Sequence, residues 1–254
     1  MLIDPLQEKG IENKYRSALK RLILLDYDGT LVEYKPKPAQ ALPSEVVLKV
    51  LRKLSEDKGN RLLIVTGRDH PDVDSLLGML DIEIIAAHGA IQKENGTWVC
   101  QVSEDTTWKA LIRPLMEQAG LSCPESFIED KHFSLAWHYR TANSAEGLLQ
   151  SRKLVEMLAP LTEKNCLKIL DGNKVVEVMH REIGKGQAVK RVIDSDDYDF
   201  ILSVGDDVTD EEIFRLLASD SRAYTIKVGE GESAAACRIN SAGEVVSFLN
   251  NLTG

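Results

Sequence analysis

The sequence predicts an α/β protein: a parallel sheet with helical crossovers, interrupted by a second, smaller α/β unit. Two observations predict it. Short apolar runs ending on Gly, Asp or Thr alternate with segments of helical periodicity at both ends of the 254-residue chain. Between them, a helix–strand–strand pattern occurs twice, as two helices backing a small antiparallel sheet require. The expected division is a core of residues 1–103 and 182–254 and an insert of 104–181.

Each element follows in order. Gly10 to Leu22 reads as a charged helix feeding a first buried strand, Leu22-Ile23-Leu24-Leu25. In Pro43 to Leu54, the residues Val46, Val47, Val50, Leu51 and Leu54 recur at helical spacing, and Gly59 is placed to end that helix. Arg61 to Arg68 is a second strand, Pro71 to Leu80 a helix and Glu83 to Gly89 a third strand. Ile91 to Val102, centred on Asn95-Gly96, is a hairpin. In the insert, Thr106 to Ala119 and Ala145 to Leu161 are helices. Ser126 to Tyr139 is a strand pair around Glu129-Asp130-Lys131, and Leu167 to Met179 a hairpin turning at Asp171-Gly172-Asn173. The parallel pattern resumes with a helix at Gly184 to Ile193 and a strand at Phe200 to Asp207. A helix at Asp210 to Leu217, a strand at Ala223 to Val228 and a helix at Ala242 to Leu252 close the chain.

Composition is that of an ordinary globular protein, 43% hydrophobic and 28% charged. A net charge of -9 disfavours general binding to nucleic acid or anionic membranes. The segment Met1 to Pro5 lacks the basic and apolar regions of a signal peptide. No apolar run reaches the length of a membrane span. The four cysteines are scattered without Cys-x-x-Cys spacing, which fits thiols in a reducing cytoplasm.

Four elements carry chemistry: Asp26-x-Asp28-Gly29-Thr30, Thr66-Gly67-Arg68, Gly184-Lys185-Gly186 and Gly205-Asp206-Asp207-x-Thr209-Asp210. Three stand at the ends of predicted strands, where ligands bind in open α/β sheets. An aspartate can attack phosphorus and form an aspartyl-phosphate. Carboxylate and phosphate dianion repel, so compensating positive charge is needed. Mg²⁺ suits the site, because it takes carboxylates, waters and phosphate oxygens. The candidate ligands are Asp26, the Asp28 backbone carbonyl and Asp206, with Asp207 and Asp210 acting through water or behind them. Thr66 and Gly67 offer a hydroxyl and an N–H to phosphate, and Lys185 offers a fixed charge. Asp28 is the candidate general acid/base.

These elements resemble the signature of the haloacid-dehalogenase-like superfamily of Mg²⁺-dependent phosphohydrolases, which implies a Rossmann-like core. The insert resembles that superfamily's C2B-type α/β cap. Finer segments resemble the trehalose-6-phosphate phosphatase family: Leu25 to Leu31, Ala87-His88-Gly89-Ala90, Phe127 to Lys131, Ser134 to Arg140, Gly172 to Val178, Gly205 to Glu211 and Ile226 to Gly229. The resemblance implies Asp26 as nucleophile and Asp28 as acid/base, with Glu129, Lys131 and Glu177 binding sugar hydroxyls. Arg68, His88 and Arg140 are further candidates for substrate contact or for closing the cap. Ala90 follows His88-Gly89 where many relatives are acidic. Tyr15 to Arg21 resembles the junction of fused synthase–phosphatase proteins, which implies a synthase domain as a partner. Two alternatives stand beside this reading. One is a phosphatase of another sugar phosphate, such as glucosyl- or mannosylglycerate phosphate or sucrose phosphate. The other is a silent sugar-phosphate-binding domain.

Overall fold

The computed structural model describes residues 2–254; Met1, part of the leader reading above, lies outside the described residues. Two compact units make up the chain, Met1–Gln101 with Gly184–Gly254, and Val102–Ile183.

In chain order the first unit opens with α1 (Pro5–Ser17) and β1 (Arg21–Leu25). It continues through α2 (Glu45–Glu56), β2 (Asn60–Val65), α3 (His70–Leu77), β3 (Glu83–Ala86) and the hairpin β4 (Ile91–Glu94) and β5 (Thr97–Cys100). The second unit holds α4 (Lys109–Leu121), β6 (Phe127–Asp130), β7 (Ser134–His138), α5 (Ser144–Lys164), β8 (Leu167–Gly172) and β9 (Val175–His180). The first unit then resumes with α6 (Lys185–Asp194), β10 (Phe200–Gly205), α7 (Asp210–Leu217), β11 (Ala223–Val228), β12 (Cys237–Ile239) and α8 (Ala242–Leu252).

The larger sheet has the order β12-β11-β10-β1-β2-β3-β4-β5. All pairings are parallel except those of the β4–β5 hairpin. Strand β1 is central because Leu22, Ile23, Leu24 and Leu25 are fully buried on both faces. From β1 the chain first builds outward through β2 and β3, then returns to add β10 on the other flank. The strand order therefore reverses at β1, and the carboxyl ends of β10, β1 and β2 lie side by side at the position where such sheets hold ligands. The second unit is a four-stranded antiparallel sheet, β6-β7-β9-β8. Leu135, Trp137, Val176 and Val178 on one face pack with Ile112 and Met116 of α4 and Leu154 and Leu158 of α5.

Some elements differ from the sequence reading. Helix α1 starts at Pro5 rather than Gly10, because Asp4 caps it: its carboxylate accepts from the Leu6 and Gln7 amides at 2.8 Å. Strand β3 stops at Ala86 instead of Gly89. There Ala87, His88 and Gly89 turn through φ of 47°, 55° and 105°. The hairpin at the end of the second unit turns at Asn173-Lys174, since Gly172 still pairs with Val175. Strand β12 has only three residues, too few to show a period. Among the described residues no helix is long and apolar enough to cross a membrane, and no two cysteines form a disulfide.

Candidate active site

Asp26 follows β1 directly and keeps the sheet's register, its amide donating to the Val204 carbonyl of β10 at 3.0 Å. Lys185, the first residue of α6, reaches the same point: Nζ lies 2.7 Å from Asp26 Oδ1 and 2.9 Å from Asp210 Oδ1. All three side chains are buried, Lys185 to 2% exposure. Asp210 is the first residue of α7. Its Oδ2 accepts from the Asp206 and Asp207 amides at 3.1 and 3.0 Å and so shapes the turn after β10. Gly205 precedes that turn because a Cβ there would lie 2.3 Å from the Asp210 carboxyl carbon. Gly29 is required twice over, with φ at 81° and a Cβ position 2.3 Å from Asp206 Oδ2.

Ligand atoms of Asp26, Asp206 and Asp210 lie within 4.8 Å of one another. Three carboxylates against one ammonium leave two negative charges in a buried site. Burial pushes the Asp26 carboxyl well above its ordinary range, and Asp210 and Asp206 add to this while Lys185 opposes it. Burial and the Asp210 charge push Asp206 up to about 7. Lys185 is raised as well: burial would lower it, but Asp210 and Asp26 outweigh burial and hold it above the usual lysine range. An all-oxygen donor set with two uncompensated charges fits a hard divalent cation.

Asp28 and Arg68 form a two-pronged pair. Arg68 Nε and Nη2 donate to Asp28 Oδ2 and Oδ1, both at 2.7 Å. Thr66, buried at the end of β2, accepts the Arg68 amide at 3.2 Å. The Ala87 amide donates to the Arg68 carbonyl and the His88 amide to the Thr66 carbonyl. This anchors the left-handed turn that carries His88. The buried His88 ring lies where a Cβ on Gly67 would come within 2.3 Å of it, so only glycine fits beside the ring.

In the second unit, the sheet face opposite α4 and α5 carries polar residues in register. Glu129 opposes Ala136, which opposes Glu177. Lys131 Nζ lies 3.0 Å from Glu177 Oε1, and Ser134 Oγ donates to the same oxygen at 2.5 Å. Glu129 pairs with His138 at 2.7 Å. Burial alone would raise the Glu129 carboxyl, but the His138 hydrogen bond and Lys131 hold it below the ordinary range. Arg140 Nη2 donates to the Asn173 carbonyl at the hairpin turn at 2.6 Å.

The trehalose-phosphatase family model matches residues 24–241. The chain belongs to the trehalose-phosphatase family. It is 36% identical over 96% of its length to alpha,alpha-trehalose-phosphate synthase [UDP-forming] B of Dictyostelium discoideum, covering 31% of that protein. It is 34% identical over 98% of its length to the bifunctional trehalose-6-phosphate synthase/phosphatase of Thermoproteus tenax, covering 34% of it. The chain thus spans about a third of the length of these curated relatives. The C-terminal domain of C. albicans trehalose-6-phosphate phosphatase superposes with a TM-score of 0.92 at 29% identity, over 97% of this chain and 96% of that one.

Four residues outside the quoted roles complete the site of this trehalose-phosphatase family member. Buried Lys227 of β11 donates to the Asp206 carbonyl. Tyr34 hydrogen-bonds Asp206, and burial together with Asp206, Asp207 and Asp26 pushes its phenol far up. Glu212 accepts the Gly186 amide at 3.1 Å, tying α7 to the start of α6. Glu211 accepts the Ala234 amide at 2.8 Å. Each contact spans more than 20 residues, and that of Tyr34 spans the most. Glu211 and Lys227 lie in segments that the family resemblance marks, but their partners across the fold are not readable from the sequence.

Proposed function

We propose that the chain hydrolyses trehalose 6-phosphate to trehalose and phosphate with Mg²⁺ as cofactor. The observation that carries this reading is Lys185 buried between Asp26 and Asp210, beside Asp206, at the strand-order reversal. Asp26 and Asp206, with the Asp28 backbone carbonyl, would hold the cation, and Asp207 and Asp210 support it from behind or through water. When bound, it supplies the positive charge that lets phosphate approach a carboxylate.

A carboxylate oxygen of Asp26 attacks phosphorus, and the bond from phosphorus to the sugar oxygen breaks. Asp28 gives its proton to the departing alkoxide. A water then attacks the aspartyl-phosphate and passes a proton to Asp28, the bond to Asp26 breaks, and phosphate leaves. Lys185 neutralises Asp26 and the incoming phosphate together, while the Thr66 hydroxyl and the Gly67 amide bind phosphate oxygens. Residues 104–181 act as the specificity cap. Glu129, Lys131 and Glu177 bind sugar hydroxyls from one sheet face, and Arg140 and His88 contact substrate or the closing cap. The two carboxylates already carry cationic neighbours, so they accept hydroxyl protons as charged acceptors. The Thermoproteus tenax relative is named as a bifunctional synthase/phosphatase, which supports a synthase domain as the partner of this chain, and the cytoplasm is its proposed location.

The test is phosphate release from a panel of sugar phosphates with Mg²⁺. Preference for trehalose 6-phosphate, lost on chelation, supports both chemistry and cap. Preference for another sugar phosphate overturns the cap assignment, and no release from any of them points to a silent binding domain.

A further inference from the structure

We propose that Arg68 is a positioning residue for Asp28 rather than a substrate contact. This rests on the reading of Asp28 as the acid/base of the reaction above. Both oxygens of Asp28 accept from Arg68, each at 2.7 Å. The Asp28 side chain is itself more than a quarter exposed, whereas Arg68 is buried to 7%. The arginine is therefore the fixed partner and the aspartate the one that needs fixing. Two further contacts hold the guanidinium, and others hold the backbone. Nη2 also donates to the Pro38 carbonyl at 2.8 Å. The Tyr27 ring lies 5.0 Å from Cζ, and Tyr27 is anchored in turn by its hydroxyl on the Ala41 carbonyl at 2.9 Å. The Arg68 backbone is pinned on both sides by Thr66 and Ala87. One planar fork thus ties the turn after β1, the turn after β2 and the 38–41 segment into one unit.

Nε and Nη2, the two donors that present the fork, are engaged by Asp28, and Nη2 also by the Pro38 carbonyl. A two-pronged grip on phosphate or sugar would require giving Asp28 up, because only Nη1 is left for a single-nitrogen contact. A planar two-donor grip also sets the carboxylate's rotation, which a lysine ammonium would leave free. Proton delivery to a leaving oxygen tolerates little displacement: a shift of about 1 Å can cost about 10²-fold.

The experiment compares Arg68→Ala, Arg68→Lys, Asp28→Asn and Arg68→Ala/Asp28→Asn on two substrates. Trehalose 6-phosphate leaves as an alkoxide that needs a proton; p-nitrophenyl phosphate leaves as a stable phenolate that does not. Arg68→Ala is expected to lower kcat on trehalose 6-phosphate by about 10²-fold with KM within about threefold, and to lower the first-turnover rate of nitrophenolate release, which precedes the Asp28-assisted hydrolysis of the aspartyl-phosphate, by less than about tenfold. The double variant should be no slower than Asp28→Asn alone. Added guanidinium at non-denaturing concentration should restore at least about tenfold to Arg68→Ala and nothing to Asp28→Asn. Arg68→Lys, which keeps the charge, should fall between. A rise in KM with kcat unchanged would make Arg68 a substrate contact, and a first-turnover loss of nitrophenolate release equal to the loss on trehalose 6-phosphate would make it a phosphate ligand. Additive losses in the double variant would also overturn the proposal. Full activity of Asp28→Asn on trehalose 6-phosphate would instead sink the acid/base reading beneath it.

Discussion

Replacing Lys185 with Met removes the ammonium while keeping an unbranched side chain of similar length. In the native protein that ammonium sits 2.7 Å from Asp26 and 2.9 Å from Asp210, and Lys185 and Asp210 are each 2% exposed. Its loss leaves two carboxylates buried without their cation. Breaking a buried pair from one side costs about 3–5 kcal/mol, a large part of a total stability of about 5–15 kcal/mol. At about 2–4 °C per kcal/mol for a protein of this size, Tm should fall by roughly 6–20 °C. The sign of the pH dependence follows from Asp26. Its folded pKa already lies above the unfolded value of 3.8, and losing Lys185 moves it further up. Stability from such a group is present below the unfolded value and is lost as pH rises through the folded one. The penalty should therefore be smaller at about pH 5.5 than at about pH 8. Calorimetry of both proteins in cation-free buffer at the two pH values measures it. A fall of less than about 3 °C, or an equal penalty at both values, would refute the claim that Lys185 neutralises this cluster.

Three more outcomes are expected. With Asp206 pushed up to about 7, the cation-free protein should lose stability as pH rises from about 4 through about 7, and Mg²⁺ should raise Tm more at the upper end; a Mg²⁺ effect that does not grow with pH contradicts this. Gly205→Ala would place a methyl 2.3 Å from the Asp210 carboxyl carbon; thermal unfolding should show a loss of at least about 1–3 kcal/mol, and turnover should drop as Asp210 shifts. In the second unit, Glu129 is held below its ordinary range by His138 despite burial. Its contribution is present above the unfolded value and is lost as pH falls through the folded one, so His138→Ala should flatten the acid limb of the stability curve.

Much of the site was legible because its signals are local. Asp26 and Asp28 stand two apart after an apolar run, and such runs end at the ligand-binding edge of a sheet. Asp206 and Asp210 follow another run, and the expected bounds of β11, α7 and α8 are those of the structure. What could not be read depends on chain return. Nothing local says that β10 comes back to lie beside β1, which is what brings Asp206 to Asp26. Arg68 meets Asp28 across 40 residues, and Lys227 meets the Asp206 carbonyl across 21. The turn at Ala87-His88 was hidden because two non-glycine residues take positive φ there, held by backbone bonds to Arg68 and Thr66. The start of α1 was available in principle: Asp4-Pro5-x-Gln7 is a capping box preceded by no other signal.

The most direct measurement is steady-state phosphate release from trehalose 6-phosphate with Mg²⁺, run on the native chain and on Asp26→Asn with folding checked by circular dichroism. The predicted result is turnover by the native protein, abolished in a folded Asp26→Asn variant and on chelation. Turnover that survives Asp26→Asn would contradict the assignment of the nucleophile, and with it the chemistry built on this site.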